Sequence, residues 1–269
     1  MNILFAVTDM HISLVAERLF SVGPLTVTNA MVTGAIALVI LLLAMFYVAR
    51  KLKKGQTNFF VGLVRWTFDG MYGQVRNIIT DQKLARSIMP LALTIFFFVL
   101  VNYWMSIIPG VGTITWDGVP IFRAMTADLN FTFALSLITV IAVQFYAIKK
   151  MGLIGNMHRY IVNPFKNPIG AFEGILELVG EFSKALSLSF RLFGNAFAGE
   201  ILLMVASVLT GYFATLTIPV FMAFELFIGF IQAYVFFILT VIFTSLAQEH
   251  GDHDDNHSSA ESNMSLQKE

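Results

Sequence analysis

Val27–Ala49, VTNAMVTGAIALVILLLAMFYVA, carries no charged side chain, and the run Ala35–Met45 inside it is apolar throughout. A membrane-spanning helix needs about 20 consecutive apolar residues, so this stretch by itself predicts a chain that crosses a bilayer. Working outward, Ile88–Ile108 reads as a second span, opened by Pro90 and closed by Pro109-Gly110, and Leu129–Ile148 as a third. Two longer segments come next, Pro168–Thr210 and Ile218–Ala247, separated by Gly211–Thr217 with Pro219 just inside the last helix. The expected fold is all-α: a polytopic membrane protein of five membrane segments within a membrane domain 27–247.

The composition agrees. Of 269 residues 57% are hydrophobic and 13% charged, and the mean hydropathy is +0.75. Soluble domains sit near 45–50% apolar and about 25% charged. A formal net charge of +0 removes any whole-molecule argument for nucleic-acid binding. The absence of cysteine excludes disulfides, zinc–thiolate sites and iron–sulfur ligation. Met1–Ser21 lacks the basic start of a signal peptide and holds Asp9, Glu17 and Arg18 instead. Residues 1–26 therefore read as an outward segment, beginning with a short amphipathic stretch at the membrane surface.

Basic residues set the orientation. Arg50, Lys51, Lys53, Lys54, Arg65, Arg76, Lys83 and Arg86 crowd the loop 50–86, and Lys149, Lys150, Arg159 and Lys166 come after the third span. Both loops are expected on the cytoplasmic side. The loop Pro109–Asp128 has only Arg123 as a cation, and Gly211–Thr217 has no charge, so both face outward. Five segments then leave the N-terminus outside and the C-terminus inside. Within the loop 50–86, Phe59, Phe60, Leu63, Val64 and Phe68 recur at helical spacing, which predicts an amphipathic helix on the cytoplasmic surface. The tail 248–269 is acidic and histidine-rich with almost nothing apolar, so disorder is expected. His250, His253 and His257 could take a metal, but a solvated tail explains them more simply, and no metal or cofactor is expected.

A charge at the centre of a spanning helix costs about 2.5–3.5 kcal/mol on insertion scales. The two long segments nevertheless hold Glu173, Glu177, Glu181, Lys184, Arg191, Glu200 and Glu225. At about 100° per residue, Glu173, Glu177, Lys184 and Arg191 share one face, with Glu181 slightly aside and Asn195 one turn beyond Arg191. Glu200 points to the opposite face. Glu225 and Gln232, seven residues apart, share a face of the last helix. A polar seam between helices would explain Glu173 and Glu177 equally well, and Lys184 could snorkel to an interface. Arg191 is harder to explain away, because it sits among Leu188, Phe190, Leu192 and Phe193 with no acid one turn distant. An arginine cannot shed its charge, so it must face a hydrated cleft or a carboxylate of another chain. Glu200 and Glu225, lone acids on adjacent helices, suit proton-accepting steps along a wet path better than structural hydrogen bonds.

These residues carry a resemblance. Ser187–Glu200, SLSFRLFGNAFAGE, and above all Arg191-Leu-Phe-Gly-Asn195 with Ala198-Gly199, is similar to the signature of subunit a of the rotary F-type ATP synthases. Ile231–Thr240, Thr126–Asn130 and Asn102 with Ile107–Pro109 match further motifs of that family, so the likeness covers 88–247 closely and the rest by hydropathy. It implies that the last two segments form a tilted hairpin against a ring of c subunits, with two offset half-channels. Arg191 matches the family's essential arginine and Gln232 the glutamine near it. Glu200 and Glu225 match positions of the outer half-channel, where some relatives have glycine or histidine. Glu177, with Glu173 and Glu181, would line the cytoplasmic half-channel, while Asn195 and Asp128 match motifs of less definite role. The implied partners are the c ring, peripheral-stalk b subunits, the remainder of the F-type complex and the lipid of a bacterial plasma membrane. ATP chemistry would lie on other subunits, since this chain has no phosphate-binding loop. The competing classes are a secondary transporter, which would favour internal repeats that are not visible here, and a structural membrane subunit, which leaves Arg191, Glu200 and Glu225 without a task.

Overall fold

A computed structural model describes residues 15–23, 25–108, 115–116, 119–160 and 168–266. The elements in order are β1 (Arg18–Val22), β2 (Leu25–Thr28), α1 (Asn29–Lys53), α2 (Phe59–Ile78), α3 (Gln82–Met105), β3 (Thr115–Trp116), β4 (Val119–Pro120), a 3-10 turn at Met125–Ala127, α4 (Leu129–Tyr160), α5 (Pro168–Thr210), a second 3-10 turn at Gly211–Phe213, and α6 (Ala214–Leu266). Among the described residues, four helical stretches are long and apolar enough to cross a membrane: Asn29–Lys53, Gln82–Met105, Leu129–Lys150 and Phe172–Ala247. The protein is thus a multi-pass, almost wholly helical membrane chain. The last stretch, 76 residues long, takes in both α5 and α6.

Several boundaries differ from the sequence expectation, each for a local reason. The second span does not open at Pro90. Asp81 caps α3 by accepting from the Lys83 N–H at 2.8 Å, so the helix starts about two turns before that proline and carries Pro90 inside it. The turn expected over Gly211–Thr217 shrinks to Gly211–Phe213, which Gly211 opens with a left-handed φ of 49°. Pro219 accordingly lies inside α6. α4 runs past the expected end at Ile148 and bends at Gly152, whose φ of 76° no other residue type adopts easily. Beyond Ala247, where composition predicts disorder, α6 continues as far as Leu266. The amphipathic stretch expected at the start of the chain lies outside the described residues through residue 14. After it, β1 pairs with β2 in a two-stranded antiparallel hairpin. The stretch expected to form an amphipathic helix is α2, with Phe59 and Trp66 exposed on one side and Val61, Val64, Met71 and Val75 buried on the other; of the apolar residues behind the expectation only Val64 is buried.

The core is built where α3, α5 and α6 meet. Phe96, Val99, Tyr103, Leu188, Leu192, Phe236 and Phe237 are all essentially buried there. The Phe96 ring stands edge-on to Phe230 at 6.0 Å and to Phe237 at 6.4 Å, locking α3 onto α6. α4 is tied to the same body by a hydroxyl pair, Thr132 with Ser189 at 3.2 Å, and by the Tyr146 hydroxyl donating to the Ser87 carbonyl at 2.8 Å. Outside this core the surface is strongly apolar: Leu42, Leu43, Phe145, Phe182, Phe190 and Phe227 are all exposed. Such a surface belongs against lipid or another protein.

Candidate functional site

α5 and α6 run antiparallel, and three contacts set their register. The Lys184 ammonium lies 5.5 Å from the Phe243 ring centre, Asn195 bonds Gln232, and Gly199 abuts Glu225. Each advance along α5 is met by a retreat along α6. The polar residues that stand out in the sequence are therefore strung along one helix pair. The distance from Glu173 to Glu200 along α5 is about 40 Å at 1.5 Å per residue, comparable to a full bilayer with its headgroup regions.

Arg191 stands near the middle of this string and points outward. It is exposed, as are Phe190 before it and Ser183, Ser187, Gly194 and Ala198 on neighbouring turns. Its guanidinium donates to the Ser187 hydroxyl at 3.4 Å, and among the described residues it makes no ion pair. A Cβ added at Gly194 would meet nothing within 4 Å. A permanent cation thus sits on an exposed face where Ser183, Ser187, Gly194 and Ala198 leave room for another helix to approach.

One turn onward, the Asn195 amide donates to the Gln232 carbonyl oxygen at 2.6 Å. Gln232 is only 2% exposed, and its Nε2 has no hydrogen-bond partner. A buried amide left with idle donors costs about 1–3 kcal/mol. The Asn195–Gln232 bond tethers α6 to the residue one turn from Arg191.

Two turns beyond Arg191 the two carboxylates each meet a partner from a different part of the chain. Glu225, 3% exposed, accepts from the Tyr103 hydroxyl of α3 at 2.9 Å. Its carboxylate lies directly against Gly199, where any Cβ would collide with it. Glu200, the next residue, lies 4.0 Å from the Arg123 guanidinium. Arg123 is held in turn from several sides: its backbone N–H donates to the Thr33 hydroxyl at 3.1 Å, and its Nη1 donates to the Val15 carbonyl at 2.7 Å. The loop before α4 thus carries a buried cation to the far end of the string, opposite the basic loops.

At the other end, Glu181 is buried and accepts from Lys184 at 2.8 Å. Glu177 is half-buried and Glu173 exposed. Asp128 caps α4, its Oδ1 accepting from the Asn130 backbone N–H at 3.0 Å. Two residues of the site, Tyr103 and Arg123, are not candidates by sequence. Arg123 is conspicuous as the one cation of its loop, whereas nothing in the sequence marks Tyr103 among its aromatic and aliphatic neighbours. Among the described residues no group of three or more His, Cys, Asp or Glu could hold a metal.

Residues 31–245 match the family model described as ATP synthase A chain. Among curated proteins, the chain is 35% identical to the ATP synthase subunit a of Mycobacterium leprae over 175 residues, covering 64% of this chain and 67% of that one. It is 32% identical to the protein of the same name from Mycobacterium ulcerans over 229 residues, 82% of this chain and 87% of that one. The subunit a of Aliivibrio salmonicida is 36% identical over 173 residues, 62% of this chain and 64% of its own length.

Proposed function

The chain belongs to the ATP synthase subunit a family, and on that premise we propose that it is the proton-translocating stator subunit of a rotary ATP synthase in a bacterial plasma membrane. In this reading α5 and α6 each cross the membrane, giving five segments, and pack as a tilted hairpin against a ring of c subunits. The peripheral-stalk b subunits and the rest of the synthase are its other partners. The N-terminus faces outward, and the basic loops face the cytoplasm.

The observation that carries this reading is Arg191: exposed, without an ion pair among the described residues, with Ser187 and Gly194 one turn away, and placed between two groups of carboxylates on one helix pair. A cation beside a carboxylate favours its ionised form. A protonated c-subunit carboxylate arriving from lipid would release its proton near Arg191 and pass it as an anion. It would be reprotonated before re-entering lipid, because an ionised carboxylate in hydrocarbon is prohibitively costly. Glu200 and Glu225 serve the outward half-channel, beside the loop that holds Arg123. Glu173, Glu177 and Glu181 serve the cytoplasmic one. Asn195 and Gln232 keep the two helices in register beside the arginine. The same positive charge repels protons between the half-channels, and the membrane potential contributes about 2.3 kcal/mol per proton per 100 mV.

The direct test is to purify the assembled complex and reconstitute it in vesicles. A ring of small hairpin proteins should co-purify, and ATP should drive proton uptake. A chain that purifies without such a ring, or vesicles that take up no protons, would overturn the proposal.

A further inference from the structure

We propose that Tyr103 is a positioning residue for Glu225, holding one carboxyl oxygen throughout a proton-exchange cycle so that the other oxygen does the exchanging. The inference rests on the reading of Glu225 as a proton-pathway group.

Three features of the packing build this arrangement. The Tyr103 ring is fully buried, and it fits against α6 only because Gly229 has no Cβ; one added there would run into the ring. The next residue, Trp104, donates its indole N–H to the Leu226 carbonyl at 3.0 Å. Consecutive residues of α3 thus bond consecutive residues of α6, at Glu225 and Leu226. On the far side, Gly199 of α5 leaves the space that the Glu225 carboxyl occupies, with Oε1 nearest to it and Oε2 bonded to Tyr103. Among the described residues, the groups known to face the carboxyl are the Tyr103 hydroxyl from α3 and the bare backbone of Gly199 from α5, with Glu200 next in sequence.

The chemistry suits a cycling proton. A carboxylate accepts at both oxygens, and a carboxylic acid protonated at one oxygen still accepts at the other. With Tyr103 donating to Oε2 in both states, a proton can add to Oε1 and leave again without the tyrosine moving or losing its own hydrogen. Without that donor a buried Glu225 would be under-satisfied whenever it was charged. Its carboxyl would also be free to turn either oxygen toward the exchange path.

The test uses the assembled complex in vesicles with ATP-driven proton uptake, comparing wild type, Tyr103→Phe, Glu225→Gln and the double variant. Phenylalanine keeps the ring, and Trp104 with the Phe96 contacts keeps α3 on α6, so subunit content should be unchanged. Tyr103→Phe should slow uptake about tenfold, the low end of what losing a hydrogen bond to a charged group produces. In the Glu225→Gln background it should slow uptake no further, because its effect runs through that carboxyl. A second readout is the infrared carboxyl C=O band that Glu225→Gln removes; in Tyr103→Phe it should move to higher frequency as the bond to Oε2 disappears. Wild-type uptake in Tyr103→Phe, an unmoved band, or equal slowing in both backgrounds would each overturn the proposal. If Glu225→Gln itself pumped like wild type, the pathway reading of Glu225 would fall first. If Glu225→Gln were slow and Tyr103→Phe normal, only the role of Tyr103 would fall.

Discussion

Replacing Arg191 separates what this residue does for the fold from what it does for transport. Its hydrogen bond within the chain is to Ser187, at 3.4 Å and on an exposed face. Surface substitutions away from caps, cores and networks change stability by less than about 0.5 kcal/mol, so Arg191→Ala should assemble at wild-type levels. Transport should respond very differently. Two unit charges about 4 Å apart interact by about 4 kcal/mol at an effective dielectric near 20. Removing the cation thus lowers the barrier to a proton crossing between half-channels by about that amount, roughly a thousandfold in rate at about 1.4 kcal/mol per factor of ten. Arg191→Ala should abolish ATP-driven uptake and raise passive leak by up to that factor. Arg191→Lys keeps the charge, so leak should stay low. Yet coupled transport should still fail, because a compact, strongly hydrated ammonium does not release and re-engage successive carboxylates as a delocalised guanidinium does. The assay is ATP-driven uptake and potential-driven leak in vesicles whose subunit content has been checked by blotting. An assembled Arg191→Ala complex that pumped, or one that neither pumped nor leaked, would refute the reasoning.

Glu200→Gln and Glu225→Gln should each slow ATP-driven pumping, and the double variant more than either; wild-type rates in the double variant would remove both from the pathway. Cysteine placed at Glu177 in this cysteine-free chain should react with a water-soluble thiol reagent supplied from the side of the basic loops. Labelling only from the opposite side would reverse both the half-channel assignment and the topology. Gly199→Ala should push the Glu225 carboxyl off the α5 backbone. Overpacking of this kind costs about 1–3 kcal/mol, read as a lower melting temperature of the complex together with slower pumping, and a variant normal in both would show that the close approach is unimportant. Arg123→Ala should leave Glu200 without its cation and slow pumping less than Glu200→Gln does, whereas a larger loss would assign Arg123 a part of its own.

Hydropathy and charge are enough to read that the chain is helical and that it crosses a membrane, because these depend on the cost of moving each residue from water into hydrocarbon, one segment at a time. The end of the segment near Thr210 is legible from the glycine that follows it. Arg191 stands out for the same reason: a permanent charge in an apolar run is anomalous whatever surrounds it. Other features depend on neighbours outside the segment. Pro90 misleads as a boundary because the decisive signal, the Asp81 cap, lies upstream of the apolar run. That Glu225 accepts from Tyr103, 122 positions earlier, is a consequence of α3 packing on α6. That Glu200 faces Arg123 depends on a loop folded back over α1 and held by Thr33 and Val15. Asp128, a candidate by motif, becomes a helix cap once its neighbours are in place. Composition and periodicity determine which side chains are out of place in a membrane; only the packing of three helices around two glycines decides which of them meet, because contact between residues a hundred positions apart is a property of the assembled core and of no segment within it.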